Sequence, residues 1–143
     1  MKILYLLLAL VTIPIISYSQ TELPIKFKAN EDADVWIGQA WDYSYKPLKN
    51  PLNVVFDGNN LKMFYDSGKV FWETNVLSYE RKEKKNNDKL ENEAFTLKIE
   101  KKSYIQYLII EKSYSYGSVT TKIKIPYVTD TGETMSYHHY QQF

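Results

Sequence analysis

Two tripeptides of the type Asp-Ser/Thr-Gly contain carboxylates in a pattern that could do chemistry. They are Asp66-Ser67-Gly68 and Asp130-Thr131-Gly132, and a pair of carboxylates that shares one proton is the catalytic device of aspartic proteases. The same tripeptide suits a hairpin turn, because Asp caps the turn and Gly accepts a positive φ. The two tripeptides are too close in the chain to come from two homologous lobes. We therefore interpret both as turns and predict no catalytic residue.

Metal chemistry is poorly supported by the residue types present. The two histidines, His138 and His139, are adjacent, and adjacent residues of a strand point to opposite faces of the sheet. The chain has no cysteine, which leaves a structural zinc site without its usual ligands. The acidic run at residues 31–34 resembles part of a calcium loop, but Trp36 stands where the next ligand is needed. We predict neither a metal nor another cofactor, and we interpret the histidines as a surface pair.

Aromatic side chains are the candidate ligand-binding residues. The candidates are Trp36, Trp41, Tyr43, Tyr45 and Trp72. Amphipathic rings that line a pocket or platform would suit a sugar, a peptide or a small hydrophobic ligand. In β proteins Tyr and Trp also fill cores and cross-strand pairs, so a purely structural role is the competing interpretation.

The elements that must position these rings are β-strands. Apolar and polar residues alternate strictly over residues 95–101 and 119–127, which is typical of strands with one buried face. Residues 104–112 are apolar on both faces, and this predicts a central strand or one that is covered on both sides. Residues 80–93 are polar, and we predict the exposed end of a long hairpin that turns near Asn86-Asn87-Asp88.

The remaining segments complete an antiparallel meander. We predict strands at residues 25–28, 52–56, 60–65, 70–79 and 134–141. Residues 46–51 are predicted to form a loop, because two prolines remove backbone donors. The fold class is therefore all-β, a single antiparallel meander of eight or nine strands, for which a small barrel is preferred and a two-sheet sandwich is the alternative.

Gly38 and Trp41, followed by a strand meander, resemble the start of lipocalin-like barrels. That resemblance implies a central apolar cavity for a ligand. The motif of that family is Gly-x-Trp, whereas two residues separate the Gly from the Trp here.

The N-terminus is similar to a secretory signal peptide. Lys2 supplies a positive charge, residues 3–16 are apolar, and Ser17 and Ser19 occupy the −3 and −1 positions of a cleavage site. We expect residues 1–19 to be removed and residues 20–143 to form one β domain that is periplasmic or secreted. The composition, which is rich in Lys, Asn, Ile and Tyr, favours a bacterial source.

The charge balance limits the classes of partner. Removal of residues 1–19 takes away Lys2 alone among the charged residues, which leaves 17 basic and 17 acidic residues. Nucleic acid is not expected as a partner, because phosphate neutralisation needs a basic excess, and no later segment is long enough to span a membrane. We interpret the chain as a non-enzymatic module that binds a small ligand or a protein. The alternatives are a hydrolase of cell-surface polymers with dispersed carboxylates, and a structural or inhibitory protein that acts through its surface.

Overall fold

The computed structural model describes residues 23–38, 43–102, 104–115 and 117–142. Those residues form nine β-strands and no helix. In chain order the strands are β1 (Ile25–Trp36), β2 (Lys46–Phe56), β3 (Asn60–Tyr65), β4 (Val70–Asn75), β5 (Ser78–Asn86), β6 (Lys89–Lys101), β7 (Tyr104–Ser115), β8 (Ser118–Val128) and β9 (Thr134–Gln142).

All nine strands belong to one sheet, with the order β4-β3-β2-β1-β9-β8-β7-β6-β5. Every neighbouring pair is antiparallel. Because β1 pairs with β9 as well as with β2, the first and last strands lie side by side in the middle of the sheet. The predicted all-β antiparallel meander is therefore confirmed.

The sheet coils without closing into the preferred small barrel. β4 and β5 form its two edges, and no ladder joins them within the described residues. Only Val76 and Leu77 separate these strands in the chain, so the Cα atoms of Asn75 and Ser78 are at most about 11 Å apart. The two edges must therefore approach each other at this end, and the sheet is a coil with one open seam.

Backbone hydrogen bonds of the two residues between β4 and β5 explain why these strands do not pair. The N–H of Val76 donates to the carbonyl of Asn59 at 2.7 Å, whereas the N–H of Leu77 donates to the carbonyl of Lys98 at 2.8 Å. Val76 is thus bound to the residue before β3, whereas the next residue, Leu77, is bound to β6. The single strand predicted over residues 70–79 is wrong, because this change of partner divides it into β4 and β5.

The prediction of a loop at residues 46–51 is also wrong, because these residues begin β2. The β1–β2 register shifts between Ala29 and Glu31, where the partner chain skips from Leu52 to Pro47. This part of β2 has β1 as its only ladder partner in the described chain. Proline is tolerated in a strand at edges and irregular ladders, where its missing N–H breaks no bond.

The core lies on the concave face of the coil. Its largest fully buried side chains are Phe56, Phe95, Ile25, Leu61, Met63, Leu97, Ile99, Leu108, Ile110 and Ile123. The predicted period-2 alternation is confirmed on β6 by the burial of Phe95, Leu97 and Ile99, and in the middle of β8 by that of Ile123. At the ends of β8 it is wrong, because Val119 and Tyr127 are 52% and 64% exposed. Full burial of each core side chain contributes about 1.5–3 kcal/mol.

The convex face is exposed to solvent over the first half of β7. Ile105 and Tyr107 are 47% and 52% exposed, so of the two predicted alternatives the strand covered on both sides is wrong. β7 is central in the sense that β6 and β8 flank it, and its apolar outer residues stay in contact with solvent.

The polar run at residues 80–93 forms the expected hairpin end. β5 ends at Asn86 and β6 begins at Lys89, so Asn87 and Asp88 are the two turn residues. Both have positive φ, 49° and 62° respectively, which is the geometry of a two-residue type I′ turn.

Candidate ligand-binding site

The structure divides the predicted aromatic residues among different surfaces. Trp36 lies at the end of β1 and is 56% exposed, and Tyr43 and Tyr45 lie just before β2. Trp72 lies on β4 and packs against the core on the concave face. Trp41 lies outside the described residues. The five candidates therefore do not form one cluster, but Trp36 and Tyr43 line the same depression, and the Tyr43 and Tyr45 rings lie 5.8 Å apart.

Trp36 and Tyr43 flank an open depression of about 290 Å³. The depression is lined by Asp32, Ala33, Asp34, Trp36, Tyr43, Ser44 and Lys46. It forms because β2 begins at Lys46, opposite Asp32. From Ala33 onward β1 pairs only with β9 in the described chain, and the edge that β2 leaves uncovered becomes one wall of the depression.

Two carboxylates of the depression are held by one imidazole. His138 Nε2 lies 2.9 Å from Asp32 Oδ2, and His138 Nδ1 makes a short hydrogen bond with Asp34 Oδ1. Asp32 and Asp34 point to the same face because they are two residues apart on β1, and His138 pairs with Asp34 across the β1–β9 ladder. The His138 ring therefore contacts both carboxylates and holds them in place.

A row of rings continues from this group along the concave face. The Tyr140 ring lies 4.5 Å from the His138 ring, and Phe71 lies 5.9 Å from Tyr140 and 6.0 Å from Tyr65. Phe71 reaches this row because the β3–β4 register shifts beside it, and such a bulge redirects side chains. Burial raises the pKa of Tyr140 to about 12, and the charges of Asp32 and Asp34 act in the same direction.

His139 faces the opposite side of the sheet and is only 5% exposed. The predicted opposite orientation of the two histidines is thus confirmed, but the expectation of an exposed pair is wrong for His139. Burial lowers the pKa of His139 to about 4, and the nearby positive charges of Lys124 and Lys122 lower it further. At neutral pH the ring is therefore neutral and can accept a hydrogen bond.

The segment that carries Tyr43 is anchored to this neutral ring. The hydroxyl of Tyr45 is hydrogen-bonded to His139 Nδ1 at 3.0 Å, and the Tyr43 ring packs edge-on against His139 at 5.9 Å. Burial raises the pKa of Tyr45, and so do Tyr43 and Glu111, so its hydroxyl keeps its proton. The anchor holds Tyr43 beside the depression.

Polar groups continue across the convex face next to this anchor. Lys124 Nζ lies 2.9 Å from Glu111 Oε2, and Asn92 Nδ2 donates to Glu111 Oε1 at 3.1 Å. Burial tends to raise the pKa of Glu111, but the contacts with Lys124 and Asn92 and the charge of Lys122 outweigh it, and the net shift is downward. The same network leaves Lys122 half-buried. This part of the convex face is therefore an ordered polar surface.

The remaining sequence motifs lie in turns. Residues 66–68 connect β3 to β4, and residues 130–132 connect β8 to β9. The Asp66 carboxylate is bound by Lys28 Nζ at 2.7 Å and by Asn53 Nδ2 at 2.9 Å, and these contacts lower its pKa. The described residues bring together no group of three or more His, Asp or Glu side chains with the geometry of a metal site. They also contain no helix of sufficient length and apolarity to cross a membrane.

The depression was only half predictable from the sequence. Trp36 and Tyr43 were predicted as ligand-binding residues, whereas Asp32, Asp34 and His138 were not. The signal that could have located them is the Asp-x-Asp spacing on a strand, which places two carboxylates on one face.

Comparisons with known proteins add no relative to this description. No protein-family model matches the chain, and neither curated proteins nor solved structures provide a match. The functional argument therefore depends on the geometry of the depression.

Proposed function

We propose that residues 20–143 form an exported, non-enzymatic module that binds neutral saccharides in the depression at the end of β1. The observation that supports this most directly is the position of the exposed Trp36 indole and the Tyr43 ring beside the Asp32 and Asp34 carboxylates. Export follows from the signal-like residues 1–19, and the binding role follows from the geometry of the depression.

The chemistry of the depression suits a sugar. One face of a pyranose ring presents C–H groups, which pack on an aromatic face, while its hydroxyls donate and accept hydrogen bonds at the rim. Trp36 and Tyr43 offer the aromatic surface, and Asp32, Asp34 and Ser44 offer polar atoms beside it. Ligand sites commonly combine an apolar surface with a few convergent polar groups of this kind.

The charges in the depression favour a neutral ligand over an ion. Asp32 and Asp34 contribute negative charge and Lys46 contributes positive charge, while the His138 ring covers one side of both carboxylates. Because both signs are present, a strongly anionic ligand would face the carboxylates and a strongly cationic one would face the Lys46 ammonium. The hydroxyl groups of a neutral sugar can donate hydrogen bonds to the carboxylates and accept them from the Lys46 ammonium.

A fatty ligand in the interior is a weaker proposal. The coil is filled by core side chains such as Phe56, Phe95 and Leu97, each at most 1% exposed. A lipocalin-like protein would need an apolar cavity in that space. The depression at the end of β1 is outside the core and is lined largely by polar residues.

The alternative of a glycoside hydrolase also has a specific observation in its favour, since two carboxylates lie in one depression. A hydrolase needs its two carboxylates on opposite sides of the scissile bond. Here Asp32 and Asp34 both bind the ring of His138, which occupies the space between them. We therefore favour binding over hydrolysis.

The test is a calorimetric titration of residues 20–143 with short oligosaccharides of glucose, mannose, galactose and N-acetylglucosamine. We expect saturable binding to one class, and at least about tenfold weaker binding by Trp36→Ala and Tyr43→Ala, as for removal of a stacking ring. Tyr107→Ala is the matched control, because Tyr107 is about as exposed as Trp36 but lies on β7, away from the depression. A folded protein that binds none of these sugars would contradict the proposal, and release of shorter sugars would favour the hydrolase.

A further inference from the structure

The edge strand β5 (Ser78–Asn86) offers a long, solvent-exposed ladder. It pairs with β6 on one side, and within the described chain its other side has no strand partner. All of its residues except Arg81 are exposed. Such an edge presents unpaired N–H and C=O groups that can accept another strand.

The two faces of β5 carry different charges in a defined order. Tyr79, Arg81 and Glu83 share the concave face, because Arg81 is the ladder partner of the core residue Phe95. Glu80, Lys82 and Lys84 therefore point to the convex face. Successive charges along the strand from Glu80 to Lys85 read minus, plus, plus, minus, plus, plus.

This order is complementary to itself in one antiparallel register. Two copies of β5 that overlap over all nine residues place Glu80 opposite Lys84 of the second copy and Arg81 opposite Glu83 of the second copy. Each of these pairs occurs twice, so four pairs have opposite signs. Only Lys82 lies opposite its own copy, with like charge. Opposite charges that face each other across strands are stabilising.

Neighbouring registers are less favourable. A slip must be of two residues, since a slip of one would exchange the faces of the sheet. One such slip places Lys82 opposite Lys84, Arg81 opposite Lys85 and Glu83 opposite itself, so that every charged pair has like signs. The slip in the other direction places Arg81 opposite itself and keeps only two opposite-sign pairs, Glu80 with Lys82 of each copy, in place of four. Both slips also shorten the overlap.

We propose that β5 joins a second copy of this chain through antiparallel edge-to-edge pairing, to form a two-fold symmetric dimer in the full-overlap register. In a dimer with a two-fold axis, both subunits contribute the same strand to the interface. Lysines on an edge strand discourage pairing with arbitrary strands. The order of charges on β5 makes its own copy the strand that fits.

The charged side chains of β5 already form ion pairs within one chain, close to the positions that the dimer requires. In one chain Arg81 contacts Glu83, and Lys82 Nζ lies 3.9 Å from Glu80 Oε1. In the full-overlap register Glu80 exchanges Lys82 for Lys84 of the second copy. Glu83 pairs with Arg81 of the second copy, while each Arg81 keeps its contact with Glu93 of its own chain.

Charge reversal provides the test, by sedimentation of residues 20–143 over a range of concentrations. Glu80→Lys should face Lys84 of the second copy with like charge, and Lys84→Glu should face Glu80 in the same way. Each variant alone should dimerise at least about tenfold more weakly. The double variant, and an equimolar mixture of the two single variants, should regain the dimer because both restore opposite pairs.

The variants are suited to this test because the side chains of Glu80 and Lys84 are 70% and 77% exposed. Thermal unfolding of each variant checks that the fold is kept, and Lys26→Glu, an exposed reversal on β1, is the matched control. A wild-type chain that stays monomeric at millimolar concentration would overturn the proposal. Dimers that survive both single reversals, or a mixture that does not recover, would also overturn it.

Discussion

The carboxylate of Glu93 lies 2.7 Å from the guanidinium of Arg81, and the Glu93 side chain is fully shielded from solvent. Its second oxygen, Oε1, is buried without a hydrogen-bond partner among the described residues. Arg81 also contacts Glu83 and lies 6.0 Å from the centre of the Phe95 ring. A carboxylate in this position depends on Arg81 for its charge balance.

Replacement of Arg81 should therefore destabilise the protein. We expect Arg81→Met to lower the free energy of unfolding by about 3–5 kcal/mol, because Glu93 is left as an uncompensated buried charge. Adding Glu93→Leu should restore most of the loss, since an apolar pair needs no partner. Urea unfolding measures both, and Lys82→Met, on the exposed side of β5, is the control. A loss below about 1 kcal/mol for Arg81→Met would contradict the description of Glu93 as a buried charge that depends on Arg81.

His139 should make stability depend on pH. Its pKa is about 4 in the folded protein and about 6.5 in an unfolded chain. Between these values the unfolded state binds more protons, so the free energy of unfolding falls as the pH falls. The contribution is complete above about pH 6.5, and about 3 kcal/mol is lost by pH 4.

The check is urea unfolding at several pH values for the wild type and His139→Gln. The variant should lack this part of the pH dependence, so the difference between the two proteins should change between pH 7 and pH 4. Parallel curves for the two proteins would contradict the burial of a neutral His139.

The alternation on β8 predicts unequal effects for two adjacent residues. Ile123 is fully buried, and Ile123→Asp should cost about 4 kcal/mol or more because it places a carboxylate in the core. Lys122 lies on the convex face as the ladder partner of Glu111, and Lys122→Asp should cost about 1–2 kcal/mol by facing like charges. Unfolding free energies check both values. Equal losses would mean that the two faces of β8 have been misassigned.

The turn between β5 and β6 can be improved. Asp88 has a φ of 62°, and a type I′ turn favours Asn-Gly over Asn-Asp at these two positions. Asp88→Gly should therefore raise the free energy of unfolding by about 0.5–1 kcal/mol, as relief of a left-handed non-glycine residue. Thermal unfolding measures the gain, and Asn87→Val should have the opposite effect. No change in either variant would contradict the turn geometry.

Local patterns predicted most of the strands, because alternation and turn residues act over a few positions. The Asn86 to Lys89 turn and the buried face of β6 are examples. The break at Val76 was not predictable in this way, since it depends on carbonyls of Asn59 and Lys98. Barrel closure fails for the same non-local reason.

The candidate site shows the same limit. Trp36 and Tyr43 belong to one aromatic segment and could be predicted from it. His138 binds Asp32 across 106 positions of sequence, and this contact exists only because β1 and β9 pair. Trp72 was predicted as a ligand-binding residue from its aromatic character alone, and the sequence did not indicate that it packs against the core from β4.

The most direct test of saccharide binding is the amide and indole NMR spectrum of ¹⁵N-labelled residues 20–143 during titration with the oligosaccharide that binds best. The indole N–H of Trp36 should shift saturably, together with the backbone amides of Asp32 to Trp36, while the indole of Trp72 stays unchanged. Absence of any saturable shift in a folded sample, or a shift confined to Trp72, would contradict a binding site at the end of β1.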